Sequence, residues 1–321
     1  MKHPITVIAV FISMITAALV LPRPSYADEG WPRTIVHDAG ELVLEHQPVR
    51  IVSTAPSVTG ILLGIGAPVL ASAATAPSVL TDEKGFFTQW ADVADERQVE
   101  VLYPSLRFDI EAVIGLKPDL VVVSATGADS VLQHIEALRQ FGMPTLVVNY
   151  SNKSWEEIAI QLGRATGHEA GTAQAIESLN SYAQSQSLKI DAPKDPVSIV
   201  GYNIGASYSV GRRESPHARL LEALGFKVAG LPDALRSEVT RSSDFDFISH
   251  ENLPAAIAGD SVFLLRGTDA DVSTFLADPV LANRPAVQNR RVYPLGPSSH
   301  RIDYYSGRQM IDAVVRSFSV K

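Results

Sequence analysis

The chain has 321 residues, 46 % of them apolar, no cysteine and a formal net charge of −8. That length allows two medium domains or one large one, and that apolar content builds a substantial core rather than a disordered chain. The lack of cysteine excludes disulfides, thiolate metal sites and the N-terminal cysteine of a lipid anchor, and the acidic balance makes nucleic acid a poor partner.

Residues 1–27 read as an export signal. Lys2 gives a charged start, Ile5 to Leu21 an apolar run, and Ser25-Tyr26-Ala27 places small residues at −3 and −1 of a cut after Ala27. The run is short for a membrane span and meets Pro22 and Pro24 directly. The expectation is a soluble periplasmic protein with a cleaved signal peptide and no lipid anchor.

Beyond the leader, short apolar runs alternate with helix-like segments. Arg50 to Ser53 opens a strand and Ser57 to Ile65 reads as a helix ending at Gly66. Pro68 to Ser72 is a strand, Asp109 to Leu116 a helix, and Asp119 to Val123 a buried strand by its continuous branched run. Asp129 to Phe141 reads as an amphipathic helix stopping at Gly142, and Pro144 to Tyr150 as the next strand. Ser154 caps a helix over Trp155 to Thr166, with Glu157 at the capping-box position. Strands alternating with helices predict parallel sheets.

Glu169 to Leu188 differs. It has no proline and carries a narrow apolar stripe at Ala173, Ile176, Leu179 and Ala183, which predicts one long helix ended by Pro193 and Pro196. The alternation then restarts. Val197 to Tyr202, Ser261 to Leu265 and Arg291 to Leu295 read as strands; Pro216 to Leu224, Leu253 to Ala258, Val272 to Leu281 and Tyr304 to Phe318 read as helices. The fold class is therefore α/β, two halves joined by one long helix. Ile110 to Val123 and His250 to Leu265 echo each other, each with a glutamate near a short helix, then a turn, an aspartate and an apolar strand; duplication and coincidence explain this equally.

Charge divides along the chain. Asp28 to Leu188 holds 9 Lys+Arg against 20 Asp+Glu, whereas Lys189 to Lys321 holds 16 against 15, and 12 of those 16 cations are arginine. Arginine is suited to polydentate grip on oxyanions, so an anion would be met by the second half. No G-x-S-x-G, P-loop or G-x-G-x-x-G is present. The histidines beyond the leader are scattered and form neither H-x₃-H nor H-E-x-x-H.

"PVRIVSTAPSVTGILLGIGAPVL" (Pro48 to Leu70), "GFFTQWADVADER" (Gly85 to Arg97), "LKPDLVVVSATGADS" (Leu116 to Ser130) and "LANRPAVQNRRVYPLGPSSHRIDYYSG" (Leu281 to Gly307) resemble the periplasmic substrate-binding proteins of iron-siderophore ABC transporters. "GF-x-x-QW" and "R-x-DYYS" point to the catecholate, ferric-enterobactin branch. The resemblance implies a class III periplasmic binding protein of helical-backbone type: two Rossmann-like lobes, 28–166 and 191–321, around a rigid connecting helix, 167–190. It implies a monomer that captures a ferric siderophore between the lobes and delivers it to an inner-membrane permease, with no cofactor and no turnover. It also implies that Glu111 and Glu251 dock on arginines of that permease; the plainer reading is two solvated glutamates at helix starts.

In a ferric tris-catecholate, six oxygens already saturate the iron, so the protein need supply no metal ligand. What remains is a trianionic, aromatic complex that needs cations and ring-bearing walls. Arginine serves both needs, each charge-assisted bond contributing about 1.5–3 kcal/mol. Arg301, in "R-x-DYYS", is expected in the cleft, with Asp303 orienting it or capping the last helix. Arg212 and Arg213 follow "GASYSVG", and one of the two is expected to contact ligand; Arg241 is a further candidate, with an ion pair to Asp244 as its alternative. Phe86, Phe87 and Trp90 are candidate walls, with core placement of one or two of them as the alternative, Thr54 to Ser57 is a cleft loop, and Tyr304 or Tyr305 is an aromatic contact or a ring packed on the lobe. The pattern departs from the catecholate branch at Thr88, where an arginine is expected, and near Gly211, where a tryptophan is expected. Haem and cobalamin carriers share the fold, and haem would call on His300 or Tyr208; a secreted α/β enzyme is the remaining alternative.

Overall fold

The computed structural model describes residues 30–242 and 244–319; the leader read over 1–27 lies outside them. Strands β1 (Arg33–His37) and β2 (Gly40–Leu44) form an antiparallel hairpin that the sequence reading passed over. Then β3 (Ile51–Ser53), β4 (Val69–Ser72), β5 (Glu100–Val101), β6 (Leu120–Ser124) and β7 (Thr145–Val148) make an all-parallel sheet in the order β5-β4-β3-β6-β7. Residues 120–124 are wholly buried because helices cover both faces. Leu120 and Val122 pack with the helices Pro56–Gly64 and Trp155–Thr166, while Val121 and Val123 pack with Ile110–Gly115 and Ile135–Gln140. Two-sided burial turns the alternating pattern of a strand into a continuous apolar run.

The helix expected over Asp129–Phe141 is shorter. A 3₁₀ turn at Leu132–His134 leads into an α-helix at Ile135–Gln140. Asp129 is held in a loop instead, its carboxylate accepting from the Ser57 amide (3.0 Å) and the Tyr150 hydroxyl (2.7 Å). The capping box of Ser154 and Glu157 forms as expected, and Gly167 ends that helix at φ +70°.

The long helix spans Glu169–Ser187 and buries Thr172, Ala175, Leu179 and Ala183. Thr172, rather than Ala173, faces inward because its hydroxyl donates to the Ala159 and His168 carbonyls. A Cβ at Gly171 would stand 2.0 Å from the Ile65 carbonyl oxygen, so only glycine lets this helix lie so close to the end of Pro56–Gly64.

The second sheet corrects the all-parallel expectation. Its strands are β8 (Val197–Ile204), β9 (Ser207–Gly211), β10 (Thr240–Arg241), β11 (Phe245–Ile248), β12 (Ser261–Leu265) and β13 (Val292–Pro294), in the order β10-β11-β9-β8-β12-β13. Only β8, β12 and β13 run parallel; β9, β10 and β11 pair antiparallel. The stretch "GASYSVG" is a hairpin turn and returning strand, with Gly205 (φ +59°) and Ala206 (φ +61°) both left-handed, the geometry a two-residue hairpin turn requires. The final helix, Tyr304–Phe318, packs on the long helix and on Pro56–Gly64, and so joins the two halves.

Candidate ligand-binding cleft

Two cavities have walls from both halves. One sets Ser57, Phe87 and Tyr150 opposite Pro297, His300 and Arg301. The other, of about 360 Å³, sets Asn152 and Ser154 opposite Arg212, Arg219 and Asp244. The first-half walls come from segments that follow the C-terminal ends of β3, β4 and β7. In the order β5-β4-β3-β6-β7 the strand order reverses between β3 and β6, and such switch points open ligand crevices at strand ends.

Arg301 spans this cleft. It follows a 3₁₀ turn at Pro297–His300 and precedes Asp303, which caps the last helix by accepting from the Tyr305 and Ser306 amides, both at 2.8 Å. The Ser306 hydroxyl donates to the Arg301 carbonyl (2.7 Å) and so fixes the backbone. The side chain then reaches the first half. Nη1 donates to the Tyr150 carbonyl at 2.9 Å, and the guanidinium carbon lies 4.0 Å from the Tyr150 ring centroid. The Tyr150–Asp129 hydrogen bond fixes that ring in turn. Burial lowers the Arg301 pKa, opposed by Tyr150 and by Asp244, Asp129 and Asp303, and the group stays cationic. Burial, then the Asp129 charge, pushes the Tyr150 phenol up, so it remains a neutral donor.

His300 opens onto cleft solvent yet is flanked by protein. Desolvation, then the charges of Arg301 and Arg266, push its pKa down to about 4, so it is a neutral imidazole at neutral pH. His217 lies behind, fully buried, its Nε2 donating to the Ser299 carbonyl at 2.7 Å.

The paired arginines separate. Arg212 lines the two-walled cavity and donates to the Ser242 carbonyl (3.0 Å). Arg213 is exposed along Gly230 and lines an adjoining groove of about 470 Å³, which Arg212 and Arg241 share. Arg241 is held by Asp246, not by Asp244, through bonds of 2.7 and 3.5 Å. Among the described residues no group of three or more His, Asp or Glu side chains converges to hold a metal ion.

Residues 51–298 match the family described as periplasmic binding protein. The chain belongs to that family. Over 312 residues, 95 % of this chain and 96 % of the relative, it is 41 % identical to the ferric enterobactin-binding periplasmic protein FepB of Escherichia coli O6:H1. The crystal structure of holo-ViuP matches with a TM-score of 0.80 at 38 % identity, covering 90 % of this chain and 96 % of that one. Staphylococcus aureus SirA complexed with staphyloferrin B shares the fold at a TM-score of 0.64 and 18 % identity, covering 88 % and 97 %. The protein is accordingly a periplasmic transport component and not an enzyme.

This periplasmic binding protein corrects several sequence-level site readings. Phe86 and Trp90 are 0 % and 1 % exposed, core residues with no surface for a ligand. Their neighbour Phe87 lines the cleft and meets the Trp90 ring edge-on at 6.2 Å. Thr54 is fully buried, its hydroxyl turned to the Val122 carbonyl at 3.4 Å. Tyr304 lies edge-on to Tyr305 and brings its hydroxyl within 3.5 Å of Ser178 on the long helix, so it joins elements rather than lining the cleft. Tyr208 stacks on His250 at 4.6 Å, beside Tyr202. Glu111, after the Asp109 cap, and Glu251 are both exposed. Tyr150, Asp129 and Arg219 were missed. Tyr150 read as the tail of a strand, and no local pattern marks the residue that meets Arg301 from 151 positions away.

Proposed function

We propose that this protein is the solute-binding component of an ABC importer, capturing a ferric catecholate siderophore of the enterobactin kind between lobes 28–166 and 191–321 and handing it to an inner-membrane permease. The observation that carries this reading is Arg301, held across the cleft over the Tyr150 ring with Arg212 and Arg219 on the same side. A cation seated on an aromatic ring suits a ligand that is both anionic and aromatic. The relative FepB, named for ferric enterobactin, supports the same class. Arg213 and Arg241 extend the cationic side into the adjoining groove. Glu111 and Glu251, exposed on the two halves, are the proposed permease contacts.

Titration with ferric enterobactin, followed by tryptophan quenching and by the purple-red catecholate band, tests this. Saturable binding is expected. No binding, or a sharp Soret band with haem, would overturn it; His300, a neutral imidazole at the cleft, is the axial group haem would use.

A further inference from the structure

A separate cavity of about 310 Å³ lies in the first half, at the switch point between β3 and β6. Thr54 follows β3, Tyr103 follows β5, and Asp129 and Ser130 follow β6. Phe108 and His134 close another side as a stacked pair, 4.3 Å between centroids at 15°. The chain around it is shaped for this: Ser105 and Leu106 both sit at φ +53°, a conformation that L side chains adopt only where the surroundings hold them.

Tyr103 is 4 % exposed, yet its hydroxyl has no hydrogen-bond partner. The Thr54 hydroxyl beside it donates to the Val122 carbonyl, and the two Asp129 oxygens accept from Tyr150 and from the Ser57 amide; neither residue is in hydrogen-bond geometry with the phenol. A buried phenol without a partner is costly, and such a group points to something that completes it. Burial first raises the pKa of the phenol, the neighbouring Thr54 hydroxyl works against this and the Asp129 charge adds to it, so the phenol stays protonated and offers a hydrogen. The Asp129 carboxylate next to it disfavours an anionic acceptor. No lysine or arginine lines this cavity.

Asp129 is also the wall between this cavity and the cleft, because its partners Ser57 and Tyr150 line the cleft. We infer that the cavity is a ligand subsite for an uncharged, hydrogen-bond-accepting arm of the chelate, an amide carbonyl or hydroxyl received by the Tyr103 phenol. This rests on the siderophore reading above and narrows it: the ligand is lopsided, its catecholate oxygens on the arginines of the second half and a neutral polar appendage in the first. The absence of lysine and arginine from the described lining follows the same division, since Asp28 to Leu188 is the acidic half of the chain.

The test pairs two synthetic chelates, the iron(III) tris complexes of N-(2-hydroxyethyl)-2,3-dihydroxybenzamide and of its N-propyl analogue, with wild type and Tyr103→Phe. One hydroxyl per arm is varied on the chelate and one on the protein. Wild type should bind the hydroxyethyl complex about fivefold more tightly, the size of one neutral hydrogen bond, and Tyr103→Phe should erase that preference. Tyr103→Phe removes only an unpartnered hydroxyl, so its Tm should equal or exceed that of wild type. No preference in wild type, or a preference surviving in Tyr103→Phe, would overturn the subsite while leaving the siderophore reading intact. Failure of wild type to bind either chelate or ferric enterobactin would remove the siderophore reading and the subsite with it.

Discussion

Replacing Arg301 by alanine should weaken binding of ferric enterobactin by at least tenfold. A guanidinium carries five N–H groups, and Nη1 already donates to the Tyr150 carbonyl. The remaining donors face a cleft in which burial has weakened competition from water, as the lowered pKa of the group records. One charge-assisted bond to a catecholate oxygen contributes about 1.5–3 kcal/mol, so losing one costs roughly tenfold and losing two costs more than a hundredfold. Arg301→Lys should fall between, since it keeps the charge but loses the planar fork and the flat contact with Tyr150. The stability change is the net of opposing contributions: the variant loses one charge-assisted hydrogen bond and one cation–π contact, about 2–4 kcal/mol together, and is relieved of a desolvated charge. Tryptophan-quenching titration provides the assay, because Trp90 meets the cleft residue Phe87 edge-on and senses a ligand laid against it. Unchanged affinity in a variant with a native circular-dichroism spectrum would remove Arg301 from the site.

Phe87→Ala should weaken siderophore binding severalfold with a small change in Tm, whereas Phe86→Ala, one position earlier in the core, should cost about 3–5 kcal/mol of stability; equal effects in urea unfolding would contradict the division between wall and core. His217 is fully buried with its pKa held down to about 4, so the unfolded chain takes up a proton that the folded one refuses. Stability from this group is complete above about pH 6.5 and falls by roughly 3 kcal/mol as pH drops toward about 4. His217→Gln can still donate toward the Ser299 carbonyl and should flatten that slope, read as the difference in urea midpoint between about pH 7.5 and about pH 4.5; an unaltered slope would assign the pH dependence elsewhere. Alanine at both Glu111 and Glu251 should leave siderophore titrations unchanged and abolish transport into proteoliposomes carrying the cognate permease; wild-type transport would remove both residues from the docking face.

Most of the scaffold was legible because its signals are local. Asp109, Ser154 and Asp303 each stand where a side chain must receive the first free amides of a helix, and each does so. The runs Leu120–Ser124 and Ser261–Leu265 are strands covered on both faces, where continuous apolar residues leave little choice. The failures share one cause. The hairpin of β1 and β2 buries only one face, so its strands mix charged with apolar residues, and "NIGASY" turns through Gly205 and Ala206 without the Asn-Gly or Asp-Gly pair that marks such turns most clearly. In both, the element is defined by the strand it meets, not by its own pattern.

The cleft divides in the same way. Arg301 could be found because a motif surrounds it; Tyr150, Asp129 and Tyr103 could not, because each acquires its role from a partner or an orphaned hydroxyl that only folding reveals. The residues misjudged, Phe86, Trp90 and Tyr304, are aromatic and close in sequence to true cleft residues. A ring adjacent to the site serves equally well as wall or as core, and the alternation of direction along the backbone decides which. In "GFFTQW", Phe86 and Trp90 lie four residues apart and 5.1 Å ring to ring, closed on each other in the interior, while Phe87 between them turns outward to the cleft. Arg301 and Arg212 therefore come from the second half and Tyr150 and Phe87 from the first, and the two sets meet where the Arg301 guanidinium lies over the Tyr150 ring.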